Sequence, residues 1–379
     1  MIKTIKDIEY LKDVKVIMTC DFNVPLVEGK VANDYRLKII RPTLDHLFLG
    51  GAKVILIGHI QSPEGDNLSL APVATYLQRW GYKIHLAENP RELAKLVANW
   101  PEGEILMLEN IRNFAGEKEN DPKFAKELAS LADIYVNEAF SVSHRPHASI
   151  IGLPKFLPSY AGLEFADEVS HLSKAFQPAH PFLFILGGAK FSTKLPLLEK
   201  FLGLADKVFV GGALASDLFK AKGCEVGKSV VSDGSVDLST YVNNPKILLP
   251  LDVTDDSGKE YSPNNFPKVG RMTDSGSKTV EMLKEEIKHA QFILWNGPLG
   301  IYEDGFKKAT LDMAESIAHA THGSVTSVLG GGDTLAAIAE LGLAHKITFM
   351  SGAGGAMLEF LAKGSLVGIE ALEEAGNRE

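Results

Sequence analysis

What most constrains this chain is an alternation that runs its whole length: short runs of aliphatic and aromatic residues, each followed by glycine or a polar cluster and then by a stretch with helical spacing. In the first half the runs are Val16 to Thr19, Val54 to Gly58, Ile105 to Leu108 and Ile134 to Val136. In the second they are Phe182 to Leu186, Val208 to Val210, Phe292 to Trp295, Val325 to Leu329 and Ile347 to Met350. Continuous apolar runs of this length fit strands buried on both faces, and strands separated by helical patterns build βαβ units around a parallel sheet. The fold class is therefore α/β. At 379 residues the chain is too long for one ordinary core, so two domains of similar size are expected.

In an open parallel sheet the strand C-termini share one edge, where ligands bind. The residues after each run therefore carry the functional information. In the first half they are Asp21-Phe22-Asn23, then His59, then Glu109-Asn110-Ile111-Arg112, then Asn137-Glu138. Arg36 follows the first run, and His144, Arg145 and His147 follow the fourth. Singly, each is an ordinary surface or capping residue. Jointly, three arginines and up to three histidines on one edge suit a small polyanion.

The second half ends its runs differently. Gly187-Gly188, Gly211-Gly212, Asn296-Gly297-Pro298, Gly330-Gly331-Gly332-Asp333 and Ser351-Gly352-Ala353-Gly354-Gly355 all carry glycine. Bare backbone at strand-to-helix turns lets N–H groups approach phosphate, with the positive helix end behind them. In Phe182 to Lys194, two lysines four apart, Lys190 and Lys194, would project from one helix face onto one phosphate chain. A plain turn with solvated lysines accounts for that stretch alone, but not for its recurrence. Asp333, at an apparent helix start, is a natural carboxylate for phosphate-bound Mg²⁺ and equally a helix cap.

A net charge of −9 opposes non-specific binding to nucleic acid or to an acidic membrane surface. Cys20 and Cys224 are too few for a disulfide framework, the N-terminus has no signal-like apolar region, and no stretch is long enough to span a membrane, so a cytoplasmic location is expected. No Walker motif and no kinase HRD or DFG occurs. A cationic edge for a small acid and a glycine-lined edge for a nucleotide together point to phosphoryl transfer. The sequence offers no evident nucleophile or general base. A carboxylate acceptor needs neither, because it is already ionised at neutral pH.

The residues carry a resemblance over essentially the whole chain. Asp21-Phe22-Asn23-Val24-Pro25, the Arg36 loop, Leu108-Glu109-Asn110-Ile111-Arg112, His144-Arg145-Pro146-His147-Ala148-Ser149, Gly187-Gly188-Ala189-Lys190, Trp295-Asn296-Gly297-Pro298-Leu299-Gly300 and Gly330 to Thr334 are similar, in that order, to the phosphoglycerate kinases. The resemblance implies two Rossmann-like lobes, each a mainly parallel sheet flanked by helices, joined by an interdomain helix and hinge. It places the phosphoglycerate lobe in 1–162 with a tail, 364–379, packing back on it, the interdomain helix in 163–176 and the nucleotide lobe in 177–363. It implies a monomer that transfers a phosphoryl group from 1,3-bisphosphoglycerate to MgADP in glycolysis and gluconeogenesis.

By the same resemblance Asp21, Asn23, Arg36, His59, Arg112 and Arg145 would hold the phosphoglycerate. Lys190 and Lys194 would meet the nucleotide phosphates, with Arg36 and Lys194 on the transferring group. Gly276, Glu303, Gly331, Gly332, Asp333 and Thr334 would complete the ATP/ADP site, Asp333 on Mg²⁺. Two departures stand out: Ser62 where the family has an arginine, and Ser351-Gly352-Ala353 where it has Ser-Thr-Gly. A competing reading is a nucleotide-binding relative without catalysis, which would have no reason to keep both lysines, Arg36 and Asp333.

Overall fold

The computed structural model describes residues 2–189, 191–232, 237–321 and 323–378, without the side chain of Ser192. The chain divides into two compact units, residues 1–170 with 365–379, and residues 171–364.

The first unit is built on a six-stranded parallel sheet: β1 (Lys15–Cys20), β2 (Lys53–Gly58), β3 (Lys83–Ala87), β4 (Glu104–Leu108), β5 (Ile134–Glu138) and β6 (Ser159–Ala161), in the order β3-β4-β2-β1-β5-β6. Val16, Ile17 and Met18 on β1 and Val54, Ile55 and Leu56 on β2 are all fully buried, as helices on both faces require. Those helices are α1 (Tyr35–Leu49), α2 (Ala71–Gln78), α3 (Pro90–Ala98) and α4 (Pro122–Ala129). The starts of α3 and α4 are written locally: Asn89 accepts from the Glu92 N–H and Asp121 from the Lys123 N–H, each followed by a proline in the first turn.

Helix α5 (Leu163–Ser173) follows β6 through Gly162. Its first turn is capped by the buried Glu138 at the end of β5, whose carboxylate accepts from the N–H groups of Glu164 (3.1 Å) and Phe165 (3.0 Å) and from the Thr43 hydroxyl. A Cβ on Gly162 would lie 2.0 Å from Glu138 Oε2, so only glycine lets the chain pass. Burial pushes the Glu138 carboxyl up to about 8 despite its three donors. The boundary between the units falls inside α5, and a single 3₁₀ turn, Lys174–Phe176, continues it.

The second unit has its own six-stranded parallel sheet: β7 (Phe182–Leu186), β8 (Lys207–Val210), β9 (Ile247–Leu248), β10 (Phe292–Asn296), β11 (Thr326–Gly330) and β12 (Phe349–Ser351), in the order β9-β8-β7-β10-β11-β12. This is the doubly wound order whose crevice opens where the chain reverses, between β7 and β10. Its helices are α6 (Phe191–Leu202), α7 (Ala213–Ala221), α8 (Ser277–His289), α9 (Lys308–Thr321), α10 (Gly332–Glu340) and α11 (Gly355–Lys363). Phe182, Phe184, Phe209 and Trp295 are buried around the central strands. A small antiparallel sheet of Val253–Thr254, Glu260–Tyr261 and Asp274–Ser275 is added to this unit, and its two-residue strands leave no periodic trace in sequence.

The last helix, α12 (Val367–Gly376), belongs to the first unit. The Gly368 N–H donates to Ser143 O at 2.9 Å, Ile369, Leu372 and Ala375 are buried, and Arg378 donates to the carbonyls of Pro154 and Lys155.

Candidate active site

In the first unit the ends of β1, β2, β4 and β5 gather the cationic set. Asp21, buried just past β1, accepts from Arg36 Nη1 (2.9 Å to Oδ2), from the Asn23 N–H (3.0 Å) and from the Ser141 hydroxyl. Arg36 also donates to Asn23 O at 3.2 Å, so Asp21 and Asn23 together aim the first guanidinium. Asn23 Oδ1 accepts from the Gln61 N–H at 2.9 Å, and Gln61 Oε1 accepts from Arg112 Nη1. Gln61 thus links the ends of β1, β2 and β4, a role hidden in sequence because nothing distinguishes it from any loop glutamine.

Arg112 is 8% exposed, and its Nη2 is buried without a hydrogen-bond partner. Burial, and then Arg145, lower its pKa to about 10. An orphaned buried guanidinium N–H costs free energy unless an acceptor arrives, so the atom marks where an anionic oxygen fits. His59 is buried, and its pKa falls to about 2 through burial and then the charges of Arg112 and Arg145. His147 falls to about 4 for the same reasons, although its Nδ1 lies 3.6 Å from Glu117 Oε1. Both imidazoles are neutral at neutral pH, leaving the positive charge to the arginines.

This gives a pH prediction. A histidine of depressed folded pKa binds its proton more readily when unfolded, so its contribution is complete above the unfolded pKa of about 6.5 and is lost as pH falls. For His147 the loss runs from about 6.5 down to 4, at about 1.4 kcal/mol per pH unit. His147→Gln should flatten that limb of the urea-midpoint curve between pH 6.5 and 4.5. Parallel curves for variant and parent would overturn the assignment.

Ser62, the departure on the β2 loop, is used locally. Its hydroxyl accepts from the Asp66 N–H at 3.2 Å and its carbonyl from the Gly65 N–H at 3.0 Å, closing a turn. No lysine or arginine lies between Lys53 and Arg79, so this loop adds no positive charge to the set.

In the second unit a cavity of about 360 Å³ is lined from the strand ends by Gly188, Ala189, Gly212 and Pro298, and on its apolar side by Ala215, Phe219, Val253 and Met272. Glu303, on a turn after β10, and Asp333, in the first turn of α10, line it too. Gly276, Gly331, Gly332 and Thr334 do not. Gly276 makes room for Asp252, whose carboxylate carbon would lie 2.4 Å from a Cβ there. Thr334 is buried and accepts from the Gly297 N–H at 3.0 Å, tying α10 to the β10 loop. Lys190 lies outside the described residues.

The glycines divide into two kinds. A Cβ on Gly187 would lie 2.1 Å from Pro298 O, and one on Gly297 would lie 2.5 Å from Gly187 O. These two exist so that the β7 and β10 loops can touch. Gly332 has nothing within 4 Å and leaves its backbone open.

Lys194, in the first turns of α6, donates to Asn296 Oδ1 at the end of β10 and passes over Gly188. Burial lowers its pKa to about 8. Its neutral oxygen partner does not repay the cost of burying charge, which an anionic ligand would. Asn296 was visible in the Trp295 to Gly300 stretch, but only the fold shows that it holds this lysine. Among the described residues no cluster of three or more His, Cys, Asp or Glu could hold a metal ion. No helix among them is long and apolar enough to cross a membrane.

The family model for phosphoglycerate kinase matches residues 5–364. A phosphoglycerate kinase of Dictyoglomus turgidum is 40% identical over 98% of this chain and 99% of its own length. One of Thermosipho africanus is 39% identical over 97% of each. The structures of phosphoglycerate kinases from Coxiella burnetii and Pyrococcus horikoshii superpose with TM-scores of 0.86 each, at 30% and 29% identity, covering 99% of both chains in the first case and 100% in the second. A match this complete in sequence, length and topology, over a chain with these two strand-end sites, leaves one assignment: the chain belongs to the phosphoglycerate kinase family.

Proposed function

We propose that this chain is a working phosphoglycerate kinase, a cytoplasmic monomer transferring a phosphoryl group between 1,3-bisphosphoglycerate and MgADP to give 3-phosphoglycerate and MgATP. The observation that carries the reading is that both strand-end sites hold a cation short of charge compensation: buried Arg112 with an orphaned Nη2, and half-buried Lys194 with no carboxylate but an amide oxygen as its hydrogen-bond partner among the described residues.

Arg36, Arg112 and Arg145 bind the acid's phosphate and carboxyl oxygens, with neutral His59 and Asn23 completing the hydrogen bonds and Asp21 holding Arg36 in place. The nucleotide occupies the 360 Å³ cavity, with Glu303 accepting from ribose hydroxyls. Asp333 would supply the protein oxygen for a Mg²⁺ accompanying the nucleotide, which would offset phosphate charge there. In the direction of ATP formation a terminal oxygen of ADP attacks the acyl phosphorus, the P–O bond to the carboxyl breaks, and a carboxylate leaves. No proton moves, which accounts for the lack of a general base. Lys194 and Arg36 neutralise charge on the group in flight, and Lys190 shares the nucleotide phosphates.

The test is a coupled assay for ATP formation from 1,3-bisphosphoglycerate. Nucleotide binding without turnover would replace this reading with that of a non-catalytic relative. Ser62 yields a finer expectation. A family arginine there would add charge-assisted hydrogen bonds worth on the order of 1.5–3 kcal/mol. Ser62→Arg should therefore lower the KM for 3-phosphoglycerate and leave that for ATP alone. An unchanged or raised KM for the acid would show that the Ser62–Asp66 turn is worth more than the added charge.

A further inference from the structure

The apolar side of the second unit's cavity contains an anomaly. Ser275, on the small antiparallel sheet, and Ser216, on α7, both line it and are 6% and 2% exposed. Ser275 Oγ is buried with no hydrogen-bond partner among the described residues. Among the described residues Ser216 Oγ reaches only the thioether of Met272, at 3.8 Å, a weak acceptor. Buried hydroxyls are nearly always paired with oxygen or nitrogen, and leaving one unpaired destabilises the fold. Alanine at either place would fill the same space without that cost. Their neighbours, Ala215, Phe219, Val253 and Met272, form the kind of surface that takes a flat heterocycle. The phosphate end of the cavity is elsewhere, at Gly188, Gly212 and Asp333.

We propose that Ser216 and Ser275 form a hydroxyl pair that reads the polar edge of the nucleotide's base. This rests on the reading of the cavity as the nucleotide site. With no partner fixing its rotamer, the Ser275 hydroxyl is free to turn about Cα–Cβ between staggered wells when a base arrives. Each hydroxyl can donate to a ring nitrogen or accept from an exocyclic amino group. The pair therefore favours a base with hydrogen-bonding groups on its edge over an apolar ring of the same shape.

The test measures binding of MgADP and of magnesium tripolyphosphate, which has the phosphate chain without base or ribose, to the full chain, to Ser275→Ala and to Ser216→Ala/Ser275→Ala. Losing one hydrogen bond should raise the Kd for MgADP about fivefold, and losing both should raise it further. The Kd for tripolyphosphate should not move. Urea midpoints without nucleotide should be unchanged or higher, because the lost hydroxyls satisfied nothing there. An unchanged Kd for MgADP, an equal rise for both ligands, or a lowered midpoint would each overturn the proposal. Failure of the parent chain to bind MgADP would instead overturn the nucleotide reading itself.

Discussion

Lys194→Ala should lower kcat by two to three orders of magnitude while raising the KM for MgADP only a few-fold. The side chain passes over the Gly188 turn and, among the described residues, is paired with nothing stronger than Asn296. Its gain is therefore greatest where negative charge gathers on the transferring oxygens, and an interaction made mainly in the transition state appears in kcat. Loss of a preorganised donor of this kind costs about 2.7–4 kcal/mol, or roughly 10²–10³ in rate. The depressed pKa adds a second readout. Near pH 8 the free enzyme loses this charge, so MgADP should bind more weakly above that pH in the parent. The variant should lack that limb. A variant with parental kcat would remove Lys194 from the transfer step.

Gly187→Ala should strongly destabilise the second unit. Its Cβ would meet the carbonyl oxygens of Pro298 and Gly297, which are backbone and cannot swing away. Overpacking costs typically 1–3 kcal/mol, and a clash with backbone at a sheet switch point belongs at or above the upper end, about 3 kcal/mol. Gly332→Ala is the control. Its Cβ meets nothing, alanine is the better helix residue and Gly332 does not line the cavity, so the fold should keep or slightly gain stability and MgADP binding should hold. Urea melts and nucleotide titrations of both variants separate the roles. Equal midpoints for Gly187→Ala and the parent would show that the loops are not in the contact described.

That pair of glycines shows where sequence reasoning stops. Gly187 and Gly332 both read in the chain as glycines of a turn after an apolar run. One is required by a neighbouring carbonyl contributed from over a hundred residues away, and no local pattern carries that. The strands were legible because parallel strands buried on both faces are continuous apolar runs. Even so, the run Ile347 to Met350 is realised as Phe349–Ser351, shifted toward the loop. The small sheet that carries Ser275 was not legible, because two-residue strands have no period.

The cationic residues of the first unit could be placed at strand ends from sequence. The network that aims them could not. Gln61 and Ser141 act through contacts 51 and 120 residues distant, and Ser62 turns out to close its own turn. The resemblance to a family supplied roles for Gly276 and Thr334 at the nucleotide, whereas here they contact Asp252 and Gly297.

Helix α12 is synthesised after the second unit, yet it is packed into the first, which precedes both in the chain. While residues 171–364 are being translated, the face of the first unit around Ser143 and Pro154 must wait without Ile369, Leu372 and Ala375. The nascent first unit therefore lives through the whole manufacture of the second with an open apolar seam. That interval is where a ribosome-associated chaperone would find its binding surface, and where a slowed ribosome would do the most harm.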